Sequence, residues 1–158
     1  MTRPELPELR QLLSTSVTGK DLRGAELLIY SECLRWEWPE GLAKLADGRV
    51  ALSVCLEREH MNHITVKIAT IMVMSRPASI TALTADGSPG CVQVHFALRQ
   101  ALRITGLDIP VRHLVVEKGE LYEIEPRLIR VARHLSEVQA LATGRPTALK
   151  GGGQIAAG

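Results

Sequence analysis

The sequence predicts an α/β protein, a three-layer sandwich built on a mostly parallel sheet with an antiparallel hairpin at one edge. Short apolar segments alternate with helical patterns along most of the chain, which is the order that parallel strands joined by helices produce. The pair Lys118-Gly119 separates the last two apolar segments and favours a tight hairpin turn. The 158 residues, 46% of them hydrophobic, are enough for one domain with its own core.

The first part of the chain alternates helix and strand twice. Residues 7–14 carry leucines at 9, 12 and 13 after a proline and predict a short amphipathic helix. Residues 25–30 form a compact apolar run and predict the first strand, and residues 49–54 predict the second. Between these strands, residues 40–46 predict a short helix.

The middle of the chain predicts a long apolar helix and the third strand. Residues 59–75 are apolar on most of a helical surface, which is typical of a helix that is central or lies at an interface. Residues 78–84 predict the third strand and lead into a turn-rich loop at residues 85–90. Residues 91–105 then predict another helix.

The last part of the chain predicts a strand pair, a helix and a tail. Residues 111–116 and 121–124 predict the hairpin strands, and apolar spacings of three and four predict a helix over residues 126–141. This order of elements resembles the flavodoxin-like and Rossmann-like folds. We expect a single α/β domain over residues 1–143 and a flexible, glycine-rich tail over residues 144–158.

Composition excludes several classes of partner. The net charge is only +2 and aromatic residues make up 3% of the chain, whereas nucleic-acid binders show a basic face and often aromatic stacking platforms. No apolar run approaches the roughly 20 residues that span a bilayer, and the start of the sequence carries charges throughout. We therefore expect a cytoplasmic protein with reduced cysteines, no nucleic acid and no membrane.

The three cysteines occupy equivalent places in the predicted topology. Cys33, Cys55 and Cys91 each lie just beyond the carboxyl end of one of the first three strands. In a parallel sheet these ends face the same side of the molecule, where ligand crevices form. The thiols are therefore candidate ligands of one metal centre, although free cysteines also fill gaps in a core with no further role.

Cys91 opens a predicted helix, which gives it a second property. Unpaired N–H groups and the positive end of the helix dipole stabilise a thiolate at that position. His95 lies four residues later on the same helix face, so the pair predicts two ligands of one metal or a nucleophile with its base. A hydrogen-bonded core histidine is the simpler interpretation of His95.

Two further groups flank the proposed crevice. Gly87, Ser88 and Gly90 precede Cys91 and would let the backbone approach an anionic cofactor, although the loop matches neither a P-loop nor GxGxxG. His60 and His63 follow Cys55 at a spacing of three and would add a fourth ligand or a base, or else form a solvated first helical turn.

Three functions remain open from the sequence. The first is a small redox or electron-transfer accessory domain or subunit, with an iron–sulfur cluster or zinc bound by the cysteines. The second is a thiol enzyme in which Cys91 is the nucleophile for sulfur or acyl transfer, with His95 or His60 as base. The third is a non-catalytic assembly module, in which the helix of residues 59–75 and the loop with Trp36 and Trp38 meet a protein partner or a second copy of the chain.

Overall fold

The computed structural model describes residues 5–145, which divide into two compact units at Ile124. The first unit is built on one five-stranded sheet with the strand order β2-β1-β3-β4-β5. The first four strands are parallel and β5 is antiparallel to β4, so the predicted α/β sandwich is confirmed. The strands are β1 (Glu26–Ser31), β2 (Val50–Val54), β3 (Ser79–Ala85), β4 (Val111–Glu117) and β5 (Glu120–Ile124).

The helices of the first unit connect these strands. In chain order they are α1 (Leu34–Glu37), α2 (Pro39–Ala46), α3 (Met61–Ser75) and α4 (Val92–Thr105), preceded by a 3-10 turn at Lys20–Leu22. The second unit contains α5 (Pro126–Ala132) and α6 (Leu135–Thr143). None of the helices within residues 5–145 is long and apolar enough to cross a membrane.

The two faces of the sheet bury separate cores. One face, with Leu27, Ile29 and Ile80, packs with buried side chains of α3 and α4. The opposite face, with Leu28 and Tyr30, packs with buried side chains of α1 and α2. Successive residues of a strand point to opposite faces, so β1 must be apolar at nearly every position, and five of its six residues are buried.

The strand order places a reversal at β1. Strand β1 pairs with β2 on one side and with β3 on the other, both in parallel. The chain therefore leaves β1 in one direction across the sheet and returns to its other side. The gap above the carboxyl ends at such a reversal is where open α/β sheets bind ligands.

The predicted helix at residues 7–14 is wrong. Arg10 and Leu12 exchange backbone hydrogen bonds with Ser53 at 2.8 and 2.9 Å, so this segment runs beside the edge strand β2. A helix of eight residues is marginal in water, whereas the open edge of β2 offers unpaired N–H and C=O groups. Pairing with that edge also buries Leu12 completely.

The loop with Trp36 and Trp38 contains one turn of helix. Residues 34–37 form the single helical turn α1, which separates the two rings. Trp36 is 70% exposed, whereas the Nε1 of Trp38 donates a hydrogen bond to the carbonyl of Gly119 at 3.1 Å. Trp38 thereby ties the start of α2 to the hairpin turn.

The hairpin of β4 and β5 is confirmed. Glu117 pairs with Glu120, which leaves Lys118 and Gly119 as a two-residue turn. Both have positive φ, 51° and 81°, as the favoured hairpin turn requires. Strand β5 is exposed along most of its length, and its glutamates are typical of a protected sheet edge.

The second unit corrects the helix predicted over residues 126–141. The helix breaks at His134, whose φ of −111° and ψ of 87° are not helical, and α6 begins at the next residue. Neither proline nor glycine marks this break in the sequence. Gly144 caps α6 in the left-handed conformation; the rest of the predicted tail, residues 146–158, lies outside the described residues.

The N-terminal pairing makes a prediction about stability. Leu12 is fully buried and Leu9 is 49% exposed, whereas an amphipathic helix would need both leucines. We expect Leu12→Ala to lower the free energy of unfolding by about 2–5 kcal/mol and Leu9→Ala to change it by less than about 0.5 kcal/mol. Urea unfolding followed by circular dichroism measures both, and equal losses would contradict the observed segment.

Candidate functional site

A cleft of about 420 Å³ opens at the carboxyl edge of the sheet, above the reversal at β1. All three cysteines line it, as the predicted topology requires. The remaining lining consists of four carboxylates, two serines, one glycine and three apolar side chains. These residues are Ser31, Glu32, Glu37, Val54, Leu56, Glu57, Ala85, Asp86, Gly87 and Ser88.

Strand register brings the cysteines to one level. Ser31, the last residue of β1, pairs with Val54, the last residue of β2. Cys33 lies two residues after the end of β1, and Cys55 lies one residue after the end of β2. Both cysteines therefore emerge at nearly the same height of the sheet. Cys91 arrives from the third strand by way of the loop after β3 and stands directly before α4.

Cys91 lies at a helix start and accepts a hydrogen bond at its sulfur. It is the N-cap residue of α4, a helix of 14 residues, where the dipole and free N–H groups stabilise negative charge. In addition, the Oγ of Ser31 donates a hydrogen bond to the Cys91 Sγ at 3.1 Å.

Cys33 has the opposite electrostatic environment. Burial raises the pKa of its thiol to about 11, and the negative charges of Cys91 and Glu37 add to the effect. Cys55 contributes in the same direction. The Cys33 thiol is therefore protonated at neutral pH, and the shared influence of the other two cysteines reflects how near they lie.

The charge of the cleft is negative. Among the described residues that line it, there is no lysine, arginine or histidine. Glu32 contributes little to this negative charge, because its carboxylate forms an ion pair with Arg58 at 2.8 Å. The same ion pair lowers the pKa of the Glu32 carboxyl group. Such a lining favours a metal or another cationic group over a phosphate.

The loop before α4, residues 85–90, has polar contacts of its own. The Cys91 N–H donates to the Oγ of Ser88 at 3.3 Å, so one free helix N–H is already paired. A Cβ placed on Gly90 would come within 2.7 Å of a Glu57 carboxylate oxygen. Gly87, Ser88 and Gly90 thus belong to the loop at the rim of the cleft. The sequence predicts that this loop binds an anionic cofactor, but the carboxylates that line the cleft would repel an anion there.

His95 does not reach the cleft. It is buried, with its Nε2 2.8 Å from the Thr84 Oγ1 and its Nδ1 3.0 Å from the Nδ1 of His113. Both ring nitrogens are therefore occupied, and the ring points into the core although it shares a helix with Cys91. The i, i+4 spacing placed the two residues on one helix face without placing their side chains together.

His60 and His63 also lie apart from the cysteines. His60 caps α3, with its Nδ1 accepting from the N–H of Asn62 at 3.1 Å. His63 is exposed on the first turn, its ring 5.8 Å from that of His60. Neither histidine lines the cleft, because the turn of residues 55–59 separates Cys55 from the start of α3.

The ligands predicted for a metal are thus only partly brought together. Within residues 5–145, no three cysteine, histidine, aspartate or glutamate side chains are spaced to hold a single metal ion. The cleft contains the three cysteines, whereas His95 belongs to a buried histidine pair, His60 caps α3 and His63 is exposed. Cysteine side chains turn about one torsion, so the thiols can still reorient around a larger group.

The reversed strand order and the position of the cleft agree with a comparison of the sequence. A family model described as Rossmann-like domain matches residues 20–147. The chain belongs to the Rossmann-like domain family. No curated protein and no solved structure matches the chain. In this Rossmann-like domain, the segment after β1, Glu32-Cys33-Leu34-Arg35, lacks the glycines of a dinucleotide fingerprint.

Sequence reasoning missed the polar partners of the cysteines. Ser31 is the last residue of β1, and its role as a donor to Cys91 depends on a contact across 60 positions. Glu57 was visible as a carboxylate near Cys55, but its approach to Gly90 is a tertiary contact. Successive side chains of β1 point to opposite faces of the sheet, so Ser31 lies on the face opposite to that of Tyr30. This alternation was the one sequence signal for the position of Ser31.

The buried histidine pair predicts a dependence of stability on pH. Burial lowers the pKa of His95 to about 3 and that of His113 to about 4, with further lowering by His113 and Arg99 respectively. Both rings bind protons more readily in the unfolded chain, so stability falls as the pH decreases below about 6.5. The limiting slope is about 1.4 kcal/mol per pH unit for each histidine.

Urea unfolding between pH 7.5 and 5 measures this effect above the range in which carboxylates titrate. His63→Gln, at an exposed position, is the matched control and should keep the slope. His113→Asn should reduce it. A free energy of unfolding that stays constant over this range in the wild type would contradict a neutral buried pair.

Proposed function

We propose that this domain binds an iron–sulfur cluster through Cys33, Cys55 and Cys91 and acts as a small redox or electron-transfer accessory domain or subunit. The observation that carries the proposal is that all three cysteines line one cleft above the strand reversal. They come from three separate connections, so their proximity depends on the fold and not on a short motif. The core itself needs no metal, because a chain of this size buries enough apolar surface to fold alone.

The chemistry of the lining supports a metal with affinity for sulfur. Thiolates are the ligands that iron–sulfur clusters and zinc prefer. Carboxylates surround the thiols, and no basic side chain of the described lining competes with a cation. An anion or a nucleotide phosphate would meet repulsion in the same place.

The size of the cleft supports a cluster over zinc. Its volume of about 420 Å³ is more than ten times the roughly 30 Å³ that one water molecule occupies. The described side chains are also not spaced for a single ion. A cluster is larger than one ion, and a cleft of this volume has room for it.

The surrounding residues would set the properties of the centre. A bound cluster supplies one-electron transfer, with a potential that depends on net charge, hydrogen bonds to sulfur and exposure to solvent. Glu37 and Asp86 add negative charge at the rim, which favours the oxidised state. The Ser31 hydroxyl, 3.1 Å from the Cys91 Sγ, and the start of α4 act in the opposite direction.

One observation favours a second function, a thiol enzyme. Cys91 alone combines a helix N-terminus with a hydroxyl donor to its sulfur, which are features of a reactive thiolate. The predicted bases His95 and His60 lie outside the cleft, so a carboxylate such as Glu57 would have to accept the proton. Assembly with a partner or a second copy stays a prediction, to which the exposed Val66 and Val73 on α3 contribute.

Anaerobic reconstitution with iron and sulfide tests the proposal. The wild type should take up iron and sulfide in stoichiometric amounts and become brown, with charge-transfer absorption in the visible range. Cys33→Ser, Cys55→Ser and Cys91→Ser should each abolish most of this uptake, because thiolates are the ligands. Asp86→Asn, at an exposed position of the same cleft, removes no sulfur; it is the matched control and should retain the cluster.

Two outcomes would contradict the proposal. Absence of bound iron in the reconstituted wild type excludes a cluster site in this cleft. Uptake that persists in all three cysteine variants places the iron elsewhere. If iron is absent and Cys91 reacts with iodoacetamide much faster than Cys33 or Cys55, the second function is supported instead.

A further inference from the structure

We propose that the exposed apolar face of α6 is a contact between two copies of this chain, paired antiparallel about a two-fold axis near Val138. The inference concerns the second unit alone and does not depend on the proposed cluster. It follows from where α6 places its apolar side chains, from the charge of the helix and from the fit of this face to a copy of itself.

Helix α6 presents its apolar face to solvent. At about 100° per residue, Leu135, Val138, Leu141 and Ala142 fall within an arc of about 120°. Leu135 is 78% exposed and Leu141 is 72% exposed, and Val138 and Ala142 are exposed as well. An amphipathic helix of a monomeric protein buries this face against a core, so the arrangement of α6 is typical of a helix that has a partner.

Helix α5 lies on the other side of α6 and does not cover this face. The Glu137 carboxylate pairs with Arg130 of α5 at 3.0 Å. Ala140, which is half-buried, lies on the side of the helix opposite to Val138. The contact within the helix pair therefore uses the polar and small side chains of α6 and leaves the leucines outside.

The second unit is too small to stabilise its helices with a core of its own. It comprises Glu125–Gly158, which is shorter than the roughly 40 residues below which folding usually needs disulfides, metals or oligomerisation. It contains no cysteine. Ile129 is the one buried hydrophobic residue within residues 125–145. Burial of the α6 face against a second copy would supply the apolar contact that this unit lacks.

The charge of α6 favours an identical copy over a charged partner. Glu137 is the only charged residue of the helix, Leu135–Thr143, and it is already paired with Arg130. An acidic or a basic protein surface would therefore find no complementary charge along the helix. Helices that lie on membranes carry lysine and arginine on their polar side, and α6 carries neither.

The apolar face is complementary to a copy of itself when the two helices are antiparallel. With the axis between residues 138 and 139, Leu135 of each copy lies opposite Ala142 of the other, so a large side chain meets a small one twice. Val138 of both copies lies next to the axis. Arg133 then lies level with Gly144 of the other copy, which caps the C-terminus of α6, and a cation is stabilised at that end of a helix.

Sedimentation equilibrium of the full chain, with three single substitutions on α6, tests the proposal. At about 100 μM, where a small interface is populated, the wild type should sediment as two chains. Leu135→Glu and Val138→Glu place charge in the contact and should each raise the dissociation constant at least about tenfold. Ser136→Glu adds the same charge at an exposed polar position; it is the matched control and should dimerise as the wild type does.

The substitutions should not disturb the monomer. Glutamate forms helices about as well as leucine does and better than valine, and both replaced side chains are exposed. Circular dichroism should therefore show the same helix content in all variants. None of the substitutions alters a cysteine, so this contact and the iron uptake tested above fail independently.

A mixture of two variants distinguishes a two-fold contact from any other. Val138→Glu and Val138→Lys should each sediment as a single chain, because like charges meet next to the axis. Mixed in equal amounts, they should form a heterodimer, since opposite charges then face each other. A mixture that stays monomeric would contradict the antiparallel pairing about Val138.

Other results would overturn the proposal as a whole. A wild type that sediments as a single chain shows that no second copy covers the face. A dimer that survives both Leu135→Glu and Val138→Glu has its contact elsewhere, for example on α3. Binding of a single-chain wild type to vesicles of phosphatidylserine and phosphatidylcholine, lost in Leu135→Glu, would assign the face to a membrane instead.

Discussion

The parallel pairing of β1 with both β2 and β3 is the constraint on which the site depends. Strand β1 is buried on both faces and hydrogen-bonded on both edges, so its carboxyl end is held from both sides. The residues that follow the three strands must then emerge at one edge. Cys33, Cys55 and Cys91 meet there because the backbone ladder brings them together.

The cleft that results combines opposing electrostatic effects within a small space. At Cys33, burial and neighbouring negative charge raise the pKa of the thiol to about 11. At Cys91, the sulfur lies at the N-terminus of α4 and accepts a hydrogen bond from the hydroxyl of Ser31. A metal bound to all three would have to displace a proton from Cys33, so its affinity would increase with pH.

The sequence predicted the fold well because its apolar patterns are set by burial on two faces. The short apolar strands, the Lys118-Gly119 turn and the strand-end cysteines are local features with local causes. The failures came where distant groups competed with local preference. Residues 10–12 pair with the edge of β2 instead of forming a helix, and His95 turns toward His113 instead of Cys91. Contacts such as that of Glu57 with Gly90 have no local signature at all.

Cross-linking of the thiols tests most directly whether three strand ends bring the cysteines together. Dibromobimane becomes fluorescent when it bridges two nearby thiols, and peptide mass spectrometry identifies the pair. In the folded, metal-free chain we expect bridges among Cys33, Cys55 and Cys91, with far fewer in urea. One-ended adducts alone, at the same level in folded and unfolded chains, would contradict a shared cleft and the account built on it.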